Sequence, residues 1–354
     1  LSSSSQLKVL WLSLEWPKEG SHVGGVGRYT YRLAEEMRHL VDLTVLTTDG
    51  AKPLDGVKIV QTRAPRTRFD RFYSTPWRLR ALAGSISADV VHSHGDDWAL
   101  SSNTPIVRSF YGTSWSEAMA SSGLRRLNHF VLAGLEKLSA RKAVTSLAIA
   151  PESLSFFNCD RVIAPVVGLP VKTCIARSEH PRVVFIGSFH GRKRGWLVQQ
   201  AVENMREALR SSVELYVIGP SSDKESWNPS VIHKAGLTDS EVSEVIGSAW
   251  VLLAPSTYEG FGIPTVEALN LNIPVVATSN PGNHYFKSIS DIHLPLICVE
   301  NDDEFISRSV DIVRNGAVLT DQQLESAARF VGYVKENASP AALVDVYRGA
   351  INRA

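Results

Sequence analysis

Short apolar runs, each closed by glycine or proline and followed by helical spacing, occur in two successive blocks, and this doubled pattern decides what the chain can fold into. Residues 8–14 are mostly apolar, which suits a parallel strand covered on both faces. A glycine-rich turn follows, then a helix over 29–40 with Tyr29, Leu33, Met37 and Leu40 on one side. Residues 41–47, 57–60, 89–92 and 105–110 read as strands, 124–142 as a helix, and Ala148 and 162–164 as short strand-like pieces. Residues 166–181, with Gly168 and Pro170 and no periodicity, read as a linker. The pattern then restarts with a strand over 182–186 stopped by Gly187, a helix over 196–209 and a strand over 215–218 stopped by Gly219 and Pro220. A helix over 239–248, strands over 250–254 and 273–277, and an amphipathic helix over 341–351 complete it. Strands alternating with helices imply parallel sheets with helices on both faces. The predicted fold class is α/β, two Rossmann-like doubly wound parallel-sheet domains facing a cleft, with ligands at the C-terminal ends of the strands. Expected boundaries are 1–168, 169–337, and 338–354 for a C-terminal helix packing back on the first domain.

The length of 354 residues agrees with two domains of about 150–180 residues each. The net charge of +1 hides an asymmetry: residues 1–170 carry +5 and the rest −4, which points to an anionic partner for the first half or to ordinary scatter between domains. Cys159, Cys174 and Cys298 stand alone, giving neither a zinc spacing nor a disulfide framework, as suits a reducing compartment. The N-terminal stretch has no apolar signal core and no run is long enough to span a bilayer. A cytoplasmic location is expected, with peripheral contact at the inner face of the membrane.

The segment most laden with chemistry is 255–268, Pro-Ser-Thr-Tyr-Glu-Gly-Phe-Gly-Ile-Pro-Thr-Val-Glu-Ala. It follows a buried strand, Gly260 and Gly262 allow close backbone approach, and Pro264 suits the first turn of a helix whose free N–H groups attract anions. Glu259 precedes that helix and Glu267 lies about one turn inside it, so the two carboxylates can hold different parts of one elongated ligand. The bland alternative is a tight strand-to-helix turn with two solvated acids. The spacing of Glu259 and Glu267 resembles the E-x7-E motif of retaining glycosyltransferases of the GT-B fold, glycosyltransferase family 4, and 249–256 and 272–278 resemble its flanks. The resemblance implies transfer of a sugar from a nucleotide-diphosphate sugar to a glycan, lipid-linked or small-molecule acceptor. Glu259 would meet the donor sugar hydroxyls and Glu267 the nucleotide ribose, while the backbone at Phe261, Gly262 and Ile263 would approach the phosphates or sugar. No cofactor and no metal are implied.

Three further clusters fit that expectation. Gly187-Ser-Phe-His-Gly-Arg-Lys-Arg-Gly195 follows a strand, and fixed cations there would stabilise the charge gathering on a leaving nucleotide. The family places Arg just after the first glycine and Lys just before the last; this chain has Ser188 and Arg194, so Arg192 or Lys193 is expected to supply the missing cation. Three basic residues in a row otherwise read as a solvated loop. Gly24-Gly-Val-Gly-Arg28 resembles the family's first-domain loop, with Gly25 and Gly24 nearest the donor and Arg28 near the acceptor or capping the surface. Residues 90–98, with His92, His94, Asp96 and Asp97, invite a metal reading, but the family's similar text uses none and the chain lacks an Asp-x-Asp pair. His92 reads as structural, and His94 as able to reach the acceptor. Where relatives place a histidine after the next strand, this chain has Tyr111. Tyrosine titrates far above neutral pH and suits hydrogen bonding rather than proton shuttling.

Residues 61–82 hold six arginines, Arg68 and Arg71 among them, with Phe69, Phe72, Tyr73 and Trp77 against the single acid Asp70, and 124–142 add five more basic residues. Basic and aromatic residues together suit an acceptor bearing phosphate or an anionic membrane. A solvated loop with inward-packed aromatics is the alternative, and no nucleic-acid module is visible. A non-catalytic nucleotide-sugar-binding relative or scaffold and a nucleotide-sugar epimerase remain open beside the transferase reading.

Overall fold

A computed structural model describes residues 6–18, 24–95, 97–119, 121–149, 151–165, 175–338 and 340–354. The chain divides into two compact units, Leu1–Gly168 with Asn337–Ala354, and Leu169–Glu336. The strands of the first unit are β1 (Lys8–Leu12), β2 (Asp42–Thr48), β3 (Lys58–Thr62), β4 (Val90–Ser93), β5 (Ile106–Phe110), β6 (Thr145–Ala148) and β7 (Arg161–Val162). Those of the second are β8 (Arg182–Ile186), β9 (Glu214–Ile218), β10 (Ile232–Lys234), β11 (Val251–Ala254), β12 (Val275–Thr278) and β13 (Leu296–Val299). Helices α1 (Gly25–Met37), α2 (Thr75–Ala83), α3 (Ser114–Met119), α4 (Gly123–Lys142) and α5 (Pro151–Phe156) belong to the first unit. The second carries α6 (Gly195–Leu209), α7 (Asp239–Gly247), α8 (Ile263–Asn270), α9 (Pro281–Ser288), α10 (Asp302–Arg314) and α11 (Asp321–Asn337), and α12 (Pro340–Arg353) returns to the first.

Both sheets are wholly parallel. The first runs β3-β2-β1-β4-β5-β6-β7 and the second β10-β9-β8-β11-β12-β13, the same doubly wound order in each. Along β1 the side chains alternate. Val9 and Trp11 enter a core with Leu33 and Met37 of α1 and Tyr347 of α12, while Leu10 and Leu12 enter the core on the other face. Burial on both faces is why β1 reads as an apolar run rather than as alternation. In the second unit Val183 and Phe185 of β8 pack with Leu197 and Val198 of α6 and Phe305 of α10.

Helix α1 differs from the sequence reading, because it begins at Gly25 and not at Tyr29. Gly24 takes the cap position with extended backbone, and the Arg28 N–H already donates to the Gly24 carbonyl at 3.0 Å. Gly25 and Gly27 carry no side chain to show periodicity, so the first turn of the helix reads as loop. The linker at 166–174 lies outside the described residues.

Helix α12 is fastened by Tyr347, which is fully buried and accepts from Trp11 Nε1 at 2.9 Å. The same hydroxyl meets His92 Nδ1 at 2.7 Å, and His92 Nε2 meets Ser109 Oγ at 2.8 Å, so both imidazole nitrogens are hydrogen-bonded. Replacing Tyr347 by Phe leaves two buried polar partners unmatched. The variant is expected to lose about 1–3 kcal/mol, read as a lower urea midpoint for the first unit.

Candidate active site

The doubly wound order leaves a crevice beyond the C-terminal ends of the two strands where the winding reverses, β8 and β11 in the second unit. After β8 the chain turns through Gly187, where a Cβ would lie 2.9 Å from Phe185 Cζ and 3.0 Å from Lys193 Cβ. A single 3-10 turn, Gly191–Lys193, follows, and Arg194 in left-handed backbone (φ 53°) starts α6. This brings Arg192, Lys193 and Arg194 against the loop that leaves β11. Thr257 N–H donates to the Arg192 carbonyl at 2.9 Å, Arg192 Nη1 to the Tyr258 carbonyl at 2.7 Å, and Arg194 Nε to the Pro255 carbonyl at 2.6 Å.

Glu259 lies between these loops. Lys193 Nζ bonds its Oε1, and Arg192 Nη1 stands 3.3 Å from its Oε2. Burial by itself raises the pKa of this carboxyl. The Lys193 and Arg192 charges, with hydrogen bonds from Lys193 and Ser256, outweigh that effect and hold it below the ordinary glutamate value. Glu259 is therefore ionised at neutral pH. Arg194 faces elsewhere, its Nη1 bonding Asp302 Oδ1 at 2.6 Å at the start of α10. Ser188 Oγ donates to the His190 carbonyl at 3.0 Å.

The turn after Glu259 is clamped from below by the loop that follows β12. Gly282 N–H donates to the Glu259 carbonyl at 3.0 Å, and a Cβ at Gly282 would lie 2.8 Å from the Phe261 carbonyl oxygen. Thr278 Oγ1 and Asn280 Nδ2 donate to the Ser256 carbonyl at 2.9 and 3.1 Å, and Asn283 Nδ2 donates to the Thr278 carbonyl at 2.9 Å. Gly262 begins α8 in left-handed backbone (φ 90°) with Pro264 in the first turn. The Phe261 ring is buried 5.1 Å from that of Phe286, so this residue offers the hollow only its backbone. Ile263 is half-buried and Glu267 is buried on α8. Ile186, Lys193, Ser256, Glu259, Gly262 and Thr265 all line one hollow.

In the first unit the reversal falls between β1 and β4, and the residues singled out there gather beyond those strands. Gly24 and Gly25 are exposed at the start of α1, and a Cβ on Gly25 would meet nothing within 4 Å. Arg71 Nη2 pairs with Glu15 at 2.9 Å, and Glu15 Oε2 lies 3.7 Å from a Cβ built on Gly24. Arg28 follows, half-buried, on the first turn of α1, and Arg68 is exposed. One turn along α1, Tyr29 meets the Tyr111 ring at 5.9 Å, and the Tyr111 hydroxyl bonds His94 Nδ1 at 2.6 Å. Burial holds the Tyr111 phenol well above its ordinary pKa, so it stays neutral.

Two further groups of this cluster are buried. His94 is 6% exposed, tilted against His92 with ring centroids 4.1 Å apart, and its Nδ1 is engaged by Tyr111. Asp97 pairs with Arg108 at 3.0 Å and accepts from Ser139 Oγ at 2.8 Å. Among the described residues, no three of His, Cys, Asp and Glu come together as a metal would need; Asp96 lies outside them. The Arg108 partner and the clamp of Thr278, Asn280, Gly282 and Asn283 escaped the sequence reading. The one available signal for the clamp was Ser-Asn-Pro-Gly directly after a buried strand, a helix-start pattern.

Burial holds the His92 imidazole down to about 3, with the Arg108 charge adding to the effect, and His94 is lowered likewise. Both protonate near pH 6.5 when unfolded but stay neutral when folded. Their contribution is thus complete above pH 6.5 and fades as pH falls toward about 3. Urea unfolding between pH 6.5 and 5, above the carboxylate range, should show the first unit losing stability with acidification. The slope should flatten in a His92→Asn, His94→Asn double variant.

The sequence family described as "Glycosyltransferase Family 4" matches residues 23–165, and that described as "Glycosyl transferases group 1" matches 180–315. An MMP alpha-(1->4)-mannosyltransferase of Mycolicibacterium hassiacum is 28% identical over 188 residues, 49% of this chain and 42% of that protein. The chain thus matches less than half the length of this curated relative. A sucrose-phosphate synthase of Thermosynechococcus elongatus superposes with a TM-score of 0.76 at 15% identity, over 99% of this chain and 100% of that one. Anabaena HepE, solved in complex with UDP-glucose, superposes with a TM-score of 0.68 at 12% identity, over 98% and 100%. Both units carry parallel α/β sheets of the GT-B kind, and the chain belongs to the glycosyltransferases of family 4 and group 1.

Proposed function

We propose that this chain transfers a sugar from a nucleotide-diphosphate sugar to a hydroxyl acceptor, with retention at the anomeric carbon and without a metal ion. The observation that carries this reading is Glu259, ionised and gripped by Lys193 and Arg192 beside the start of α8. A fixed carboxylate suits sugar hydroxyls, and the adjoining cations suit a diphosphate. Glu267 is assigned the ribose, and Ser188 with the backbone of Phe261, Gly262 and Ile263 the phosphates or sugar. Arg194, held by Asp302, adds a third cation at the same loop. In the first unit, the bare N–H groups at Gly24 and Gly25 suit an anionic ligand. Arg28, Arg68 and Arg71 are assigned the acceptor, a glycan, a lipid-linked sugar or a small molecule. The relative crystallised with UDP-glucose supports a nucleotide-sugar donor.

The bond from the anomeric carbon to the phosphate oxygen breaks while the acceptor oxygen adds on the same face. The acceptor proton passes to the leaving phosphate oxygen, and a nucleoside diphosphate departs. Such a step needs placement and charge stabilisation rather than a strong protein base. Tyr111, neutral and tied to His94, fits an orienting hydroxyl. The same tie, together with Ser188 where relatives have Arg, favours the second reading, a nucleotide-sugar binder without turnover.

Nucleotide release is to be measured across UDP-, GDP-, ADP- and TDP-sugars with candidate acceptors, and product anomers by NMR. Glu259→Ala and Lys193→Ala should each slow release by about 10²–10³-fold, the scale of losing a preorganised charge partner, and chelator should change nothing. Gly25→Ala should fold like the parent, since its Cβ meets nothing in the free protein, yet lose activity where a ligand must approach. Unchanged rates in the Glu259 and Lys193 variants would sink the reading. Binding with no release for any acceptor would establish the binder instead.

A further inference from the structure

Helix α4 has two apolar faces, and only one is used for folding. Leu132, Ala133 and Ser139 are buried against the first unit. Leu124, Leu127, Val131 and Leu138 are 84%, 62%, 52% and 38% exposed. At 100° per residue these four fall within an arc of about 60°, so they form one continuous stripe on the solvent side.

The neighbouring turn extends this surface. Tyr73 Oη donates to Asn128 Oδ1 of α4 at 2.9 Å, which ties the segment before α2 to α4. Beside that tie Phe69 is 68% exposed and Trp77, on α2, 53% exposed. The charges around the stripe are one-sided. Arg68, Arg125, Arg126, Lys137 and Arg141 are exposed. The nearby acids are engaged. Asp70 pairs with Arg78 at 2.8 Å and Arg63 at 3.6 Å, Glu117 with Arg125 at 3.6 Å, and Glu136 accepts from the Ser114 N–H and hydroxyl at 2.9 and 2.6 Å.

We propose that the solvent face of α4, with Phe69 and Trp77, docks the first unit onto an anionic lipid surface. Leucine and valine along one stripe, aromatic rings at its margin and arginines rather than acids around it are the composition of a helix lying in a bilayer interface. Arginines facing anionic headgroups supply the charge complementarity. A protein partner of ordinary composition would leave this one-signed rim unmatched. The proposal shares only Arg68 with the sugar-transfer reading, and its test needs no turnover and leaves Arg68 in place.

The full chain is to be floated with phosphatidylcholine vesicles, with and without phosphatidylglycerol. Recovery is expected with the anionic vesicles, falling as salt rises. A Leu127→Glu, Val131→Glu variant should lower that recovery by about tenfold or more. Its thermal midpoint should stay at the parent value, since both side chains are exposed. Arg125→Gln with Arg126→Gln should weaken the anionic preference and keep the fold. Equal recovery on neutral and anionic vesicles, recovery on neither, or a Leu127/Val131 variant that floats like the parent would overturn the proposal. So would a parent that elutes as a dimer and a variant that elutes as a monomer, which would assign the stripe to a second copy.

Discussion

A carboxylate kept ionised while mostly shielded from water is the constraint on which the candidate site depends. Burial by itself pushes the Glu259 carboxyl toward its protonated form, because desolvation penalises the charged form. It stays charged because the loop after β8 supplies an ammonium and a guanidinium to the loop after β11. The pairing works in both directions. The cations hold the carboxylate, and the carboxylate holds two long side chains that would otherwise sweep through solvent. The backbone bonds from Thr257, Arg192 and Arg194 across the same gap make the two loops one assembly.

The first unit solves a related problem with neutral groups. His92, His94, Tyr111 and Tyr347 pack as tilted and edge-on rings linked by His92–Tyr347 and His94–Tyr111 hydrogen bonds, and beside these neutral groups Asp97 and Arg108 are buried as a pair with Ser139 between them. An isolated buried charge would cost several kcal/mol, and pairing with a hydrogen-bonded third group reduces that cost. This buried cluster meets α1 through the Tyr29–Tyr111 ring contact, one turn along from the exposed glycines.

How much of this was legible in the sequence depends on what each residue type reveals. Strands covered on both faces announce themselves as apolar runs, so β1, β4, β5, β8, β9 and β11 lie within a residue or two of their expected positions. Short edge strands do not: β10 is three residues, Ile-His-Lys, only partly buried. Helix α10 was missed although Asn301 and three following acids are a strong start signal, with the Asn301 side chain accepting from Glu304 N–H. The Glu259 turn was legible because glycines and proline at fixed offsets leave few conformations. Which of three consecutive cations would reach Glu259 was not, since Arg192, Lys193 and Arg194 are alike as charges. The left-handed backbone at Arg194 sends its side chain toward Asp302 instead.

The return of α12 to the first unit has a consequence for biosynthesis. A nascent chain emerges N-terminus first, so the second unit, continuous in sequence, is complete before Tyr347 is made. Until then Trp11 and His92 lack the hydroxyl that joins them, and the first sheet waits with part of one face uncovered. The half synthesised earlier is therefore the half that matures later, and a chain cut short within this fourteen-residue helix would carry one finished domain and one unsealed.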